Sequence, residues 1–211
     1  DAGKALPFGE EALKLAVHLG DSVLVSQAAN DLAGIEHRLG HFQLAIAYNM
    51  RALRDRQRRQ DTLGIAASHS KLGAAWIELM GFDSGLVHNE AAERVYHDLG
   101  DRLHEGMLRG NRGALYRHLG DTAMAIKATR EAMELLEGSG NDYANANVLA
   151  QMAVVLMDGR REEEAVPFIR RALERYSAMD MKSDMASMAG ALGAVAQRRD
   201  ELDSAYHWYS K

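Results

Sequence analysis

The sequence predicts an all-α protein built from a repeated pair of antiparallel helices. The 211-residue chain contains only two prolines, and alanine and leucine outnumber the β-branched residues, which favours helices over strands. The tripeptide Leu-Gly-Asp occurs at 19–21, 99–101 and 119–121, which indicates a period of 40 residues, since the first two lie 80 residues apart. Within a period, apolar and small residues follow the spacing of one helix face, as between 45 and 53.

Small residues recur at steps of 40 and form three columns. The first column is Ala33, Gly73, Gly113, Ala153 and Gly193. The second is Ala5, Ala45, Gly85, Ala125, Ala165 and Ala205. The third is Ala12, Ala52, Ala92, Ala132 and Ala172. Because glycine inside a helix costs about 1 kcal/mol relative to alanine, Gly113 predicts a helix–helix contact too close for a side chain.

The period divides residues 1–211 into one unpaired helix and five helix pairs. Residues 1–19 show only the second-helix pattern. Four full pairs and a shorter last pair follow, at about 22–59, 62–98, 102–138, 142–178 and 183–211. In the first pair, one helix is expected to break near Gly40, and the short connection makes the two helices antiparallel. The residues expected to cap the first helices are Asp21, Asp61, Asp101 and Asn141.

Two segments carry a family resemblance. The residues Leu72-Gly73, Leu79, Gly81, Gly85 and Ala92, and again Gly113, Tyr116, Leu119-Gly120-Asp121, Ala125 and Ala132, resemble the tetratricopeptide repeat (TPR). The usual TPR period is shorter, at about 34 residues. The longer period is similar to the repeats of Pins-type scaffolds, kinesin light chain and bacterial regulators. The resemblance implies a right-handed α-solenoid of about five repeats, with the first helices lining a concave groove.

The resemblance does not extend to the partner of the Pins-type scaffolds. Those proteins place an asparagine directly after the small residue of the first helix. This chain has other residues there: Gly34, Ala74, Ala114, Val154 and Ala194.

Polar and methionine side chains are expected on the concave face implied by this resemblance. The predicted peptide-binding residues are Asn30, Lys71, Met107, Asn111, Arg117, Asn147 and Gln151. Amide side chains both donate and accept hydrogen bonds, so they can hold a peptide backbone. Lys71 and Arg117 can pair with an acidic group, and Met107 offers an adaptable apolar contact. The alternative is that these polar residues only face solvent in an open groove.

These features predict a scaffold or adaptor that binds a protein or peptide. The alternative is a ligand- or peptide-sensing domain of a bacterial signalling protein with a cyclase, kinase or transcription-activator domain. The first residue is not Met, which is compatible with a longer protein. A net charge of −5 argues against a nucleic-acid partner, and no apolar stretch is long enough for a membrane helix. We therefore expect a cytoplasmic protein.

No enzyme, cofactor or metal site is predicted. Cysteine is absent, and no catalytic triad or zinc signature stands out. His37 and His41 have a chelating spacing, but Gly40 is expected to break the helix between them. The run RALRDRQRR at 51–59 holds five arginines. It is either a phosphate-binding patch or a cationic helix end that complements the helix dipole.

The last residues of the sequence are aromatic. Tyr206, Trp208 and Tyr209 lie where a repeat array normally carries a polar cap. They are expected either to pack on the preceding helix or to contact a further element or a second subunit, which would make the protein a homodimer.

Overall fold

The structure is a computed structural model that describes residues 2–199. Within this range the chain forms α-helices joined by short turns, and the described residues contain no strand. The helices are α1 (Ala2–Leu19), α2 (Ser22–Arg38), α3 (Phe42–Arg58), α4 (Thr62–Glu78), α5 (Phe82–Asp98), α6 (Arg102–His118), α7 (Thr122–Leu136), α8 (Asp142–Asp158), α9 (Glu162–Ala178) and α10 (Lys182–Arg198). The predicted all-α class of antiparallel helix pairs is confirmed, and the second helix predicted for the last pair lies outside the described residues. Tyr206, Trp208 and Tyr209 lie outside the described residues, and their role stays a prediction.

The helices end at regular positions, one in each half of a period. At most of these ends, one residue takes a left-handed backbone conformation, as Gly20 (φ 66°) and Gly40 (φ 79°) do. At Gly40, its amide donates to the carbonyl of His37 and the next amide donates to the carbonyl of Glu36. These bonds satisfy carbonyls at the end of α2, so the predicted break near Gly40 is confirmed.

The predicted caps Asp21, Asp61 and Asn141 are in place. A side-chain oxygen of Asp21 accepts from the amides of Val23 and Leu24 at 2.8 and 3.1 Å. Asp61 accepts from the Gly64 amide at 2.9 Å, and Asn141 accepts from the Ala144 amide at 2.9 Å. Each cap pairs amide groups that the helix itself leaves without a partner, so one side chain fixes the start of each of α2, α4 and α8.

The chain divides into two compact units, which are described separately. Unit 1 is residues 1–101 and contains α1 to α5, and unit 2 is residues 102–211 and contains α6 to α10. In both units each helix packs against the next one in the chain, and in unit 2 the first helices α6 and α8 also touch. Among the described residues, no helix is long and apolar enough to cross a membrane.

The columns of small residues mark the contacts between helices. All five members of the first column are buried. A Cβ atom added to Gly73 would lie 3.3 Å from the carbonyl oxygen of Gly85, a member of the second column. A Cβ atom added to Gly113 would collide with Oγ1 of Thr129 and lie 3.3 Å from the carbonyl oxygen of Ala125. The predicted close contact at Gly113 is therefore confirmed.

The third column is buried in the second helix of each full pair. Ala52, Ala92, Ala132 and Ala172 are 0% exposed, whereas Ala12 on α1 is exposed. In each full pair, the second helix thus buries its third-column alanine in the core. Around these positions the core of unit 2 is filled by larger apolar residues such as Leu156, Ile169 and Leu192.

Candidate functional site

The predicted groove residues are divided between the two units. Asn30 and Lys71 belong to unit 1. The remaining five belong to unit 2: Met107, Asn111, Arg117, Asn147 and Gln151. Each set is therefore considered within its own unit.

In unit 1 the two predicted residues contact each other. Nζ of Lys71 donates to Oδ1 of Asn30 at 2.7 Å, which joins α4 to α2. Desolvation lowers the pKa of Lys71, the nearby positive charge of Arg56 lowers it further, and Asp31 raises it. Asn30 also approaches Asp31, with 3.4 Å between Nδ2 and Oδ1. A ligand would have to compete with these contacts, so this pair alone offers few free hydrogen-bonding groups.

In unit 2 a pocket of about 250 Å³ opens between three first helices, α6, α8 and α10. We call it the unit 2 groove. Its lining residues are Ala114, Arg117, Asn147, Ala150, Gln151, Val154, Val155, Tyr176, Asp184, Ser187 and Met188. Three of the predicted residues line it: Arg117, Asn147 and Gln151. Met107 and Asn111 lie on α6 but are not part of the lining.

Two amide side chains stand one turn apart on the α8 wall of the unit 2 groove. Nε2 of Gln151 donates to Oδ1 of Asn147 at 3.2 Å. Oε1 of Gln151 is buried and has no hydrogen-bond partner. A Cβ atom at Gly110 would lie 2.8 Å from this oxygen, so the absence of a side chain there makes room for the amide. The Gln151 oxygen is an acceptor that a ligand donor could satisfy.

The charged residues of the unit 2 groove have opposite signs and come from different helices. Nη1 of Arg117 on α6 donates to Oδ2 of Asp158 at 2.9 Å. Asp184 belongs to α10. Tyr176 is buried, and desolvation raises its pKa to about 12, with smaller contributions from Asp184 and Tyr143. The groove therefore combines a cation, an anion and a neutral phenol.

Sequence reasoning missed several residues of this groove. Tyr176 belongs to α9, a second helix, whereas the TPR resemblance places only first helices on the groove. Asp184 and Met188 lie on α10 at repeat positions other than those of the predicted groove residues. The sequence signal that could have identified these residues is the 40-residue period, because it allows every position of a repeat to be compared with its counterparts in the other repeats.

Unit 1 contains a close pair of histidines. The Nδ1 atoms of His69 on α4 and His88 on α5 lie 2.9 Å apart, and their ring centroids are 5.1 Å apart. Desolvation lowers the pKa of both rings, and His88 and Arg94 lower that of His69 further. At this distance the Nδ1 atom of one ring donates a hydrogen bond to the unprotonated Nδ1 atom of the other, so protonation of both rings at once is disfavoured.

We expect this pair to make stability depend on pH. In the folded state the pKa values of both rings lie below the ordinary value of 6.5. As the pH falls below 6.5, the unfolded chain therefore binds more protons than the folded chain. The stabilising contribution of the neutral pair is complete above pH 6.5 and is lost on acidification. Two periods later, Leu149 and Phe168 occupy the equivalent positions. A His69→Leu/His88→Phe variant should show a smaller loss of unfolding free energy between pH 8 and pH 5 in denaturant titrations. An unchanged pH dependence would contradict this.

The described residues contain no group of three or more His, Asp or Glu side chains placed to hold a metal ion. Gly40 separates His37 from His41 at the end of α2. Nδ1 of His41 instead lies 2.7 Å from Oε2 of Glu36. The histidine spacing in the sequence therefore has a local structural explanation.

Comparisons with known proteins bear on the fold. No protein-family model and no curated protein sequence matches the chain. The crystal structure of BtubC (BKLC) from P. vanneervenii is similar, with a TM-score of 0.81 and 20% identity over 99% of this chain and 87% of that one. A putative kinesin light chain from Podospora anserina, described as having nearly identical TPR-like repeats, gives a TM-score of 0.71 and 11% identity over 87% and 91% of the two chains. The chain has a TPR-like fold.

A further TPR-like match is aspartyl phosphate phosphatase F from Bacillus subtilis. Its TM-score is 0.79 at 12% identity, over 93% of this chain and 52% of that one. The chain thus spans about half the length of that protein. The resemblance to the TPR proteins is confirmed at the level of the fold. At these identities the comparisons establish the TPR-like fold and leave the partner to be inferred from the site.

Proposed function

We propose that this chain is a protein-interaction module that binds a peptide or protein segment in the unit 2 groove and serves as a scaffold or adaptor. One observation carries the proposal: Arg117, Asn147 and Gln151 line the same pocket between α6, α8 and α10. TPR-like arrays present extended surfaces rather than enclosed sites, and this pocket places hydrogen-bonding groups along such a surface.

The chemistry of the groove fits an extended peptide. The amides of Asn147 and Gln151 can donate to backbone carbonyls and accept from backbone amides. Ala150 and Val154 lie on the same helix and are small enough to leave space for ligand side chains. Arg117 would exchange its exposed partner Asp158 for an acidic residue of the peptide, and Asp184 would pair with a basic one, so the two charges would also fix the direction of the peptide.

A binding measurement tests the proposal. A peptide selected from a random display library against the wild-type chain is labelled, and its affinity is measured by fluorescence anisotropy. We expect the triple variant Arg117→Ala/Asn147→Ala/Gln151→Ala to bind the peptide at least about tenfold more weakly, since the loss of several hydrogen bonds costs more than about 1.4 kcal/mol.

The control for this experiment changes a surface outside the groove. Lys127 and Glu134 are exposed on α7 and do not line the unit 2 groove. A Lys127→Ala/Glu134→Ala variant should bind as the wild type does. Equal binding by the triple variant would place the ligand elsewhere.

The alternative function, a ligand- or peptide-sensing domain of a bacterial signalling protein, stays a prediction. A cyclase, kinase or transcription-activator domain encoded in the same gene would support it.

A further inference from the structure

The arginines between 51 and 59 have two different roles in the structure. Arg56 is buried, and its Nη1 donates to Oγ of Ser68 at 2.8 Å and to the carbonyl oxygen of Gly64 at 3.1 Å. Arg59 donates to the carbonyl oxygen of Ser22 at 2.6 Å and to Oγ of Ser26 at 2.9 Å. These two arginines tie α3 to its neighbours, so they are structural.

The other three arginines line a single cleft in unit 1. Arg51, Arg54 and Arg58 follow the spacing i, i+3, i+7 on α3, which places them on one face of the helix. With the end of α1 and the start of α2 they line an open cleft of about 350 Å³. We call this the arginine cleft. Its other lining residues are Val17, Gly20, Ser22, Val25 and Asp55.

The arginine cleft has an excess of positive charge. Nη1 of Arg58 pairs with Oδ1 of Asp55 at 3.0 Å, which neutralises the one acidic residue of the lining. Arg51 and Arg54 are exposed and have no ion-pair partner within residues 2–199. Asp21 lies near the start of α2, but its carboxylate is bonded to helix amides and is not part of the lining. Two guanidinium groups therefore remain free for a ligand.

The equivalent cleft of unit 2 is electrically balanced. Three periods after Arg51, Arg54 and Asp55 stand Arg171, Glu174 and Arg175. These line a pocket of about 360 Å³ with Asp142, whose Oδ1 accepts from Nη1 of Arg175 at 3.1 Å. The TPR-like fold thus tolerates either charge pattern at this position. The positive excess is therefore a feature of the unit 1 cleft and not of every repeat.

We propose that the arginine cleft binds the phosphate group of a phosphorylated protein segment. A phosphate monoester carries a charge of about −1.5 to −2 at neutral pH, which matches the two free guanidinium groups of Arg51 and Arg54. Guanidinium groups bind phosphate oxygens in a bidentate geometry. A volume of about 350 Å³ is some ten times the roughly 30 Å³ that one water molecule occupies in the liquid, so the cleft has room for the side chain that carries the phosphate.

The test uses defined probes and the whole chain. An alanine pentapeptide with a central phosphoserine, the same peptide with serine, and inorganic phosphate are titrated separately at fixed ionic strength. Binding is followed by the NMR shifts of the arginine side-chain N–H groups and the Ser22 amide. We expect the phosphopeptide to bind most tightly and the serine peptide not to shift these signals. Added NaCl should weaken binding, because the charges are exposed.

Two variants that replace similarly exposed arginines test whether the phosphopeptide binds in the arginine cleft. Arg51→Gln/Arg54→Gln should weaken phosphopeptide binding roughly 10- to 100-fold, since each charge-assisted hydrogen bond contributes about 1.5–3 kcal/mol. Arg171→Gln changes the equivalent arginine of unit 2 and should leave the affinity unchanged. Circular dichroism should show that both variants are folded, because the replaced side chains are exposed.

Four results would overturn the proposal. They are equal binding of the serine peptide, tighter binding of inorganic phosphate than of the phosphopeptide, wild-type affinity in Arg51→Gln/Arg54→Gln, and an equal loss in Arg171→Gln. The unit 2 groove plays no part in these measurements, so a failure here leaves the proposed function as it stands.

Discussion

Replacing Gly113 by valine is expected to lower the free energy of unfolding of unit 2 by about 3 kcal/mol, measured by denaturant titration. The new Cβ atom would collide with Oγ1 of Thr129 and lie 3.3 Å from the carbonyl oxygen of Ala125. Thr129 is fully buried and donates to that carbonyl at 2.8 Å, so its side chain has no free position to adopt. Helices α6 and α7 would have to move apart, which would disturb contacts along both of them.

Two further variants separate this collision from a general effect of replacing glycine. Gly190 on α10 has no atom within 4 Å of an added Cβ, so Gly190→Ala should stabilise unit 2 by up to about 1 kcal/mol through helix propensity. In the background of Thr129→Ala, Gly113→Ala should cost less than it does in the wild type, because the colliding oxygen is gone. A wild-type stability for Gly113→Val would mean that the first column does not mark a close helix contact.

Replacing Ala132 by leucine is expected to cost about 2 kcal/mol of unfolding free energy. Ala132 is 0% exposed and belongs to a buried cluster with Leu136, Ala144 and Val148. Three extra carbon atoms would have to fit into a filled core, and overpacking of this kind typically costs about 1–3 kcal/mol. Chemical denaturation of the variant and the wild type under the same conditions gives the difference directly.

The matched control for Ala132 comes from the same column. Ala12 stands three periods earlier and is exposed on α1. Ala12→Leu should change the stability by no more than about 0.5 kcal/mol, because surface substitutions rarely do more. Equal costs at Ala12 and Ala132 would show that the difference in burial along the column has no energetic meaning.

The fold could be predicted from the sequence because packing leaves a periodic record. Where two helix backbones approach closely, only Ala or Gly fits, and a repeated architecture imposes that restriction once in every period. Gly73 and Gly113 show this most clearly, since backbone atoms of the next helix lie 3.3 Å from the Cβ position of each. The starts of α2, α4 and α8 were equally predictable, because a cap such as Asp61 acts through residues only three positions away.

The candidate site could be predicted only in part, because it depends on how side chains from separate helices converge. Periodicity identified Arg117, Asn147 and Gln151, which line the unit 2 groove. It also selected Met107, whose position on α6 lies outside that lining. The position of Tyr176 depends on the contact of α9 with the first helices, and a sequence pattern within one helix carries no information on that contact.

The two roles of the arginines between 51 and 59 were also hidden in the sequence. A rotation of about 100° per residue along α3 separates Arg56, which faces the core, from Arg54, which faces solvent. The charge of the run was evident, but the hydrogen bonds of Arg56 to α4 and the cleft beside Arg54 required the neighbouring helices. The run therefore contains two arginines that tie α3 to its neighbours, Arg56 and Arg59, and three that line the arginine cleft.

The most direct test of peptide binding in the unit 2 groove is site-specific photo-crosslinking. The photoreactive residue p-benzoylphenylalanine is introduced at Ser187, which is exposed and lines the groove, and separately at Ala123, which is exposed on α7 outside it. The labelled peptide selected for binding is then irradiated with each protein. The account predicts a covalent adduct from position 187 and none from position 123. An adduct from position 123 alone would contradict it.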